Sequence, residues 1–345
     1  MPGLGELPLP ATSRYGWPWT RETASLAGRC EGQSAWPQIS IVTPSFNQAS
    51  FLEETMRSVL QQDYPALEYL VLDGGSTDGS ADLLTRYAPN LQYAVSAPDG
   101  GQTEAINTGL ARSSGEIVAY LNSDDLYCPG ALQEVARVFS AQPDLDILYG
   151  ERILLIDENS ALIGIDRAPS FSIERLLRGD FIFQPTTFMR RRVIERAGPF
   201  DPSLRYVMDY EFFLRAALAG CRFERYDGPP LAAFRLHSQS KTLSKATQGL
   251  QEELAMLDKV FASPALSSHL RQLHSRARAQ CYLNVGYSQY LGGAHRTARR
   301  YLRAALGEHR ALVMERSFLW LLAKTMLLPR PADSLVSCGA GGVRE

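Results

Sequence analysis

The sequence is poor in the residues that staple, anchor or label a chain. Its five cysteines, Cys30, Cys128, Cys221, Cys281 and Cys338, are odd in number, widely scattered and free of any C-x-x-C spacing. That pattern excludes a disulfide framework and a structural zinc site, and it fits a reducing compartment. No stretch approaches the roughly 20 apolar residues of a membrane span, Phe318 to Leu328 being the longest candidate. The opening MPGLGELPLPATSRYGWPWT lacks the basic start and apolar core of an export leader, so the expectation is a cytoplasmic protein. No strand leads into G-x-G-x-x-G, and G-x-x-x-x-G-K-[ST] is absent, which removes dinucleotide and P-loop sites. The loop from Asp73 superficially resembles an EF-hand, but Gly75, Thr77 and Leu84 stand at its third, fifth and twelfth positions. Ser238-x-x-Lys241 lacks the partner motifs that would make it catalytic.

What is present points to a folded enzyme-sized body. The chain has 345 residues, 45% hydrophobic and 21% charged, enough for one large domain with appendages or for two. The net charge of −2 gives no reason to expect nucleic-acid binding, but it averages two unlike parts. Between Ser263 and Arg330 eleven Lys and Arg face two acids, a surplus of nine, which leaves −11 for the remainder. Of the five histidines, His237 alone falls in the first 262 residues.

Residues 1–37, with Trp17, Trp19 and Trp36, read as an irregular extension whose aromatics pin it to the body. From Gln38 strands alternate with amphipathic helices. Strands are predicted at 39–43, 69–72, 92–95 and 117–121, and helices at 51–61, 81–87 and 103–112. The alternation predicts an α/β fold, a mostly parallel sheet with helices on both faces, whose ligands bind beyond the carboxyl ends of its strands. The polar loops Pro44-Ser-Phe-Asn, Asp73-Gly-Gly-Ser-Thr-Asp and Asn122-Ser-Asp-Asp should therefore share one edge. Further on, strands are predicted near 147–149, 153–156, 181–183 and 231–235, with helices at 174–178, 191–197 and 210–219. Residues 242–330 read as a basic helical module and 331–345 as a disordered tail.

Asn122-Ser123-Asp124-Asp125 directly follows an apolar strand. Hard cations such as Mg²⁺ and Mn²⁺ prefer oxygen ligands and share carboxylates with substrate phosphates. An isolated Asp pair is more often a helix cap and solvated turn. Its companions decide the matter: Ser-Ile-Val-Thr-Pro-Ser-Phe-Asn at 40–47, Ser-Val-Leu-Gln-Gln-Asp-Tyr-Pro at 58–65, Val-Leu-Asp-Gly-Gly-Ser-Thr-Asp-Gly-Ser at 71–80, Met-Asp-Tyr-Glu-Phe-Phe-Leu-Arg at 208–215 and Phe-Arg-Leu-His at 234–237. With these strings the stretch 38–241 resembles a glycosyltransferase family 2 catalytic domain of the GT-A fold.

The resemblance implies transfer of a sugar, with inversion, from a nucleotide-sugar donor to a hydroxyl of a glycan or lipid-linked acceptor. It implies a divalent cation, Mg²⁺ or Mn²⁺, on Asp125, with the neighbouring Asp124 on either the metal or the donor ribose. Asp73 would hold base and ribose, with Pro44, Ser45 and Phe46 lining that pocket. Asp209 matches the catalytic base, with Met208 in place of the usual Glu, an apolar neighbour that would raise its pKa. The competing role for Asp209 is a helix-dipole acid. Glu211 is the reserve base or acceptor contact. His237 would be a third metal ligand or a diphosphate contact, with Lys241 near phosphate, although a lone histidine is more often structural. Gln102 would face the donor sugar and Gln184 the acceptor. Gly74 and Asn122 depart from the family pattern, where acids are common. A non-catalytic binding protein of the same fold is the alternative. A sugar-1-phosphate nucleotidyltransferase would need a glycine-rich N-terminal loop that is missing.

In the C-terminal module Arg296, Arg299, Arg300 and Arg303 recur at i, i+3, i+4 and i+7, opposite Ala298, Leu302 and Ala305. Together with the apolar Phe318–Leu328 block, this fits either an anionic membrane surface, making the protein peripheral on its inner face, or a bundle packed on the catalytic domain.

Overall fold

The computed structural model describes residues 4–10, 14–21, 23, 36–238, 246–264 and 266–326. The expected tail at 331–345, Lys241 and much of the N-terminal extension lie outside these residues.

The chain runs β1 (Ile39–Ser45), α1 (Ala49–Leu60), β2 (Leu67–Asp73), α2 (Ser80–Tyr87), β3 (Tyr93–Ser96), α3 (Gln102–Arg112), β4 (Ile117–Tyr120), β5 (Leu126–Tyr127) and α4 (Ala131–Ala141). It continues through β6 (Ile147–Gly150), β7 (Arg152–Ile156), β8 (Leu162–Arg167), α5 (Ile173–Leu176), β9 (Phe188–Arg190), α6 (Arg191–Ala197), α7 (Met208–Leu218), β10 (Phe223–Tyr226) and β11 (Ala232–Arg235). The C-terminal helices are α8 (Ala246–Ala262), α9 (Ser268–Arg271), α10 (His274–Leu291), α11 (His295–Glu308) and α12 (Arg316–Met326).

The described strands form a seven-stranded sheet, ordered β10-β6-β9-β4-β1-β2-β3, and a four-stranded one, β5-β11-β7-β8. In the first, only β9 runs antiparallel to its neighbours. The strand expected at 181–183 is displaced to Phe188–Arg190, because Gln184–Thr186 turns as a 3-10 helix around Pro185. β8 and β10 were not anticipated. β8 is exposed along its length and carries no burial period to read, and β10 is charged at Glu224 and Arg225.

Alternation along the strands divides the core in two. Ile39, Ile41, Tyr69, Val71, Ile117 and Ala119 pack against α1, α2 and α4, while Val42, Leu70, Leu72, Val118 and Tyr120 pack against α3 and α7. The period-2 strand thus serves helices on both faces, as a mostly parallel sheet requires. At Gly109 a Cβ would come 2.4 Å from Val42 Cγ1, so only glycine lets α3 sit this close to the sheet.

The N-terminal extension is pinned as its aromatics suggested. Trp17 donates to the Tyr127 carbonyl at 2.8 Å, Trp19 is buried, and Trp36 stands edge-on to Tyr64. The helical module is not a separate body throughout. Leu250, Leu254, Leu257, Phe261 and Cys281 join the same cluster as Phe212 and Phe213. Leu302, Ala305, Leu312, Phe318 and Leu321 form a satellite core further out. No helix among the described residues is long and apolar enough to cross a membrane.

Candidate functional site

The register puts Ser45 beside Asp73 and Asp73 beside Ser96, so the carboxyl ends of β1, β2 and β3 meet. Asp73 is buried. Its Oδ2 accepts from Ser96 Oγ at 2.6 Å and from the Ser76 N–H at 2.9 Å, and its Oδ1 accepts from Ser76 Oγ at 2.5 Å. Two further bonds lock the neighbouring loops: the Thr77 N–H donates to Asn47 Oδ1, and the Ala49 N–H donates to Asp78 Oδ2. Asn47 makes its turn at φ 53°, which asparagine tolerates better than most residues. Pro44 and Ser45 are buried within β1, and Ser45 Oγ has no hydrogen-bond partner among the described residues. Phe46 is 62% exposed and lies beside Gly74 of the cradle loop. A side chain at Gly74 would meet Asp99 Oδ1 at 3.1 Å and Phe46 at 3.3 Å, so Asp99 fills the space that an acid at position 74 would use.

Beyond β4 the two adjacent acids take different roles. Asp124 keeps partial exposure, and its Oδ2 lies 3.0 Å from His237 Nε2. The imidazole is packed on Phe51, ring centroids 4.7 Å apart. Asp125 is fully buried, its Oδ1 accepting from the Arg235 N–H at 3.0 Å and its Oδ2 from Asn122 Nδ2 at 3.4 Å. Burial, then the Asp124 charge, push the Asp125 carboxyl well above the usual carboxylate range. Asp125 thus turns inward, and Asp124, paired with His237, is the more exposed carboxylate of the two. No group of three or more His, Cys, Asp or Glu among the described residues is arranged to hold a metal alone.

Asp209 opens α7, where its Oδ1 accepts from the Tyr210 N–H at 2.9 Å. Next to it, Met208 Sδ receives the Thr103 hydroxyl at 2.8 Å, which joins the first turns of α3 and α7. The buried Tyr120 hydroxyl is within electrostatic reach of Asp209, Asp180 and Asp125, and burial first, then these charges, raise its pKa well above the ordinary value. Through the first turn of α3, where Gln102 bonds Asn122 and Thr103 bonds Met208, Asp209 shares the edge with the Asp124 loop. From α8, Glu252 Oε1 accepts the N–H groups of Arg205, Tyr206 and Val207 at 2.8, 2.6 and 3.0 Å, fixing the chain just before α7.

Asn122 is the hub between two glutamines. Gln102 Nε2 donates to its Oδ1 at 2.7 Å, and its Nδ2 donates to Gln184 Oε1 at 3.3 Å. Gln184 is buried and also donates to the Tyr120 carbonyl, so it braces the loop from inside. Glu211 lies 7% exposed, with both oxygens on Arg215 at 2.9 and 2.7 Å, one turn along the helix. A cavity of about 710 Å³ around Trp36, Glu116 and Arg190–Arg192 contains none of the site residues.

The family described as "Glycosyl transferase family 2" matches residues 40–195. A glycosyltransferase of Mycobacterium tuberculosis, itself uncharacterised, is 31% identical over 188 residues, which are 53% of this chain and 70% of that protein. The chain belongs to glycosyltransferase family 2. A "PGL/p-HBAD biosynthesis glycosyltransferase" of Mycobacterium bovis is 30% identical over 185 residues, covering 52% of this chain and 70% of its own length. Solved structures show the GT-A fold for this family 2 enzyme. The 1–349 portion of Staphylococcus aureus TarS in complex with UDP-GlcNAc matches with TM-score 0.60 at 17% identity, covering 84% of this chain and 88% of that one. Mannosyltransferase PcManGT from Pyrobaculum calidifontis, in complex with GDP-Man and Mn²⁺, matches with TM-score 0.57 at 18% identity, covering 89% and 88%. Against the longer TarS chain the match spans 53% of that protein.

Three residues of this glycosyltransferase escaped the sequence reading. Arg235 lies within the Phe-Arg-Leu-His string, yet it is fully buried, donating from Nε to the Asp124 carbonyl at 2.8 Å and from Nη2 to Glu54 Oε2 at 3.0 Å. An arginine in an apolar strand was the available signal for it. Glu54 and Glu252 gave no signal, because both read as solvent-facing helix acids.

Proposed function

We propose that this family 2 glycosyltransferase moves a sugar from a nucleotide-sugar donor to an acceptor hydroxyl with inversion, using a divalent cation, in assembly of a polysaccharide or lipid-linked glycan. The observation that carries the reading is the convergence on one sheet edge of the Asp73 cradle, the Asp124–His237 pair and Asp209. The UDP-GlcNAc and GDP-Man complexes of its structural neighbours support a nucleotide-sugar donor, and the Mn²⁺ in one of them supports a cation. The name of the Mycobacterium bovis relative supports glycan assembly.

The residues present fit such a cation. One partly exposed carboxylate and one imidazole 3.0 Å apart leave coordination positions open for diphosphate oxygens and water, the usual arrangement for Mg²⁺ and Mn²⁺ at phosphate sites. Asp124 and His237 would hold the ion, while Asp125 and Arg235 fix the loop from beneath. Bound there, the cation would offset the charge that grows on the diphosphate as the sugar leaves.

Asp73, Ser45 and Phe46 hold the nucleoside end, the buried carboxylate accepting from ribose or base and the exposed ring covering it. Gln102 faces the sugar. Asp209 takes the acceptor proton as the acceptor oxygen bonds to the sugar's C1 from the face opposite the departing diphosphate oxygen, which inverts that centre. Thermal unfolding across a panel of nucleotide sugars tests the assignment. At least one donor should stabilise the protein, more with Mn²⁺ than without, and Asp124→Ala should remove the metal-dependent part. A panel without any stabilising donor would overturn it.

A further inference from the structure

The outer face of α12 is apolar and largely open, with the Trp320 ring edge-on to Tyr290 at a centroid distance of 6.5 Å. Positions 316, 319, 320, 323 and 326 share one side of this helix at i, i+3, i+4, i+7 and i+10. The opposite side packs inward through Phe318, Leu321 and Thr325. On the outer side Leu319 is 47%, Trp320 55% and Met326 59% exposed, and the preceding 3-10 turn, Arg310–Met314, adds Val313 at 47% and Met314 at 83%. α12 is thus apolar on two sides, whereas a solvent-facing helix in a globular protein turns charge outward.

The charge around this face identifies the partner. Arg310, Arg316 and Lys324 border it, and none of them forms an ion pair among the described residues. The single acid in the stretch, Glu315, is taken by Arg276 at 2.8 Å. Lys324 Nζ stands 5.4 Å from the Trp320 ring, a cation beside an amphipathic ring at the edge of an apolar patch. A second copy of the chain seated here about a two-fold axis would bring these cations against their own equivalents. An anionic lipid surface suffers no such repulsion, because it offers hydrocarbon to Leu319 and Trp320 and negative headgroups to the bordering cations.

We propose that the Arg310–Met314 turn and the outer face of α12 form an interfacial docking surface for an anionic membrane, with the helix lying in the headgroup plane. The arginine-rich helix α11 is secondary, since Ala298, Tyr301, Leu302 and Ala305 bury its apolar side. The surface is distinct from the sugar-transfer site, so its failure and that of the proposed function are separable.

The test is co-sedimentation of the full chain with phosphatidylglycerol–phosphatidylcholine vesicles and with pure phosphatidylcholine vesicles at low salt, alongside sedimentation without lipid. Binding should require phosphatidylglycerol and weaken as salt rises. It should fall by about tenfold or more in Leu319→Ser/Trp320→Ser and in Arg310→Glu/Arg316→Glu. All replaced side chains are exposed, so unchanged thermal unfolding and unchanged nucleotide-sugar binding will show that the fold and donor site persist. No binding to the anionic vesicles, or binding that neither variant weakens, overturns the proposal. So does lipid-independent self-association lost in Leu319→Ser/Trp320→Ser, which would assign the face to a second copy.

Discussion

Arg235 and Glu54 form an ion pair with Nη2 to Oε2 at 3.0 Å and side chains 0% and 2% exposed. The same guanidinium holds the Asp124 carbonyl and, at 2.9 Å, Ser160 Oγ of the β7–β8 turn. Glu54 also receives Arg14 and Trp19 of the N-terminal extension. One buried pair thus ties α1, the Asp124 loop, the small sheet and the extension together.

Breaking that pair from one side leaves an uncompensated buried charge. Arg235→Met should cost about 3–5 kcal/mol of unfolding free energy by urea titration, and Arg235→Met/Glu54→Gln should recover part of the loss. A single variant within about 1 kcal/mol of wild type would mean that the pair is not the tie described.

Glu252 reaches from the helical module to the N-terminus of the helix bearing Asp209. Glu252→Ala frees three N–H groups and should lower stability by about 1–2 kcal/mol. It should also reduce kcat while leaving the donor KM near wild type, and Glu252→Gln should restore part of the rate. Loss of stability with kcat unchanged would make the contact merely structural.

Asp124 and Asp125 are distinguishable by experiment. His237→Ala and Asp124→Asn should each raise the Mn²⁺ concentration for half-maximal donor binding by about tenfold or more. Asp125→Asn, which keeps an acceptor for the Arg235 N–H, should change the metal requirement less. Equal effects at 124 and 125 would return the ion to Asp125.

Asp146 sets part of the acid stability. Burial alone would raise its pKa, but the Arg222 N–H and the guanidinium groups of Arg192 and Arg196 outweigh burial and hold it below the usual range. The folded state therefore keeps this carboxylate ionised where the unfolded chain would protonate it. Its contribution is full above the unfolded pKa of about 4 and disappears as pH falls through the lower folded value. Asp146→Asn should reduce stability at neutral pH and flatten the decline below about pH 4. An unchanged slope would contradict this.

The catalytic fold was legible in the sequence because its strands are buried on both faces and its helices are amphipathic, so period and loop chemistry coincide from Ile39 to Tyr120. Asp73, Asp124 and Asp209 stand out through local strings. The roles of Asn122, Gln184 and Arg235 depend on contacts across 20 to 181 residues of chain, and no local pattern encodes these. The pairing of Glu211 was equally illegible, because a carboxylate next to a motif looks available until its i+4 arginine is seen to hold it. The exposed side of α12 was hidden too, since periodicity identifies an apolar helix without telling how many of its faces are covered.

The most direct measurement is release of nucleoside diphosphate and glycosylated product by wild type and Asp209→Asn, on whichever nucleotide sugar stabilises the fold. Wild type should transfer with inversion, and Asp209→Asn should bind the donor equally while transferring about 10²–10⁴-fold more slowly. Transfer by Asp209→Asn at the wild-type rate would contradict the account.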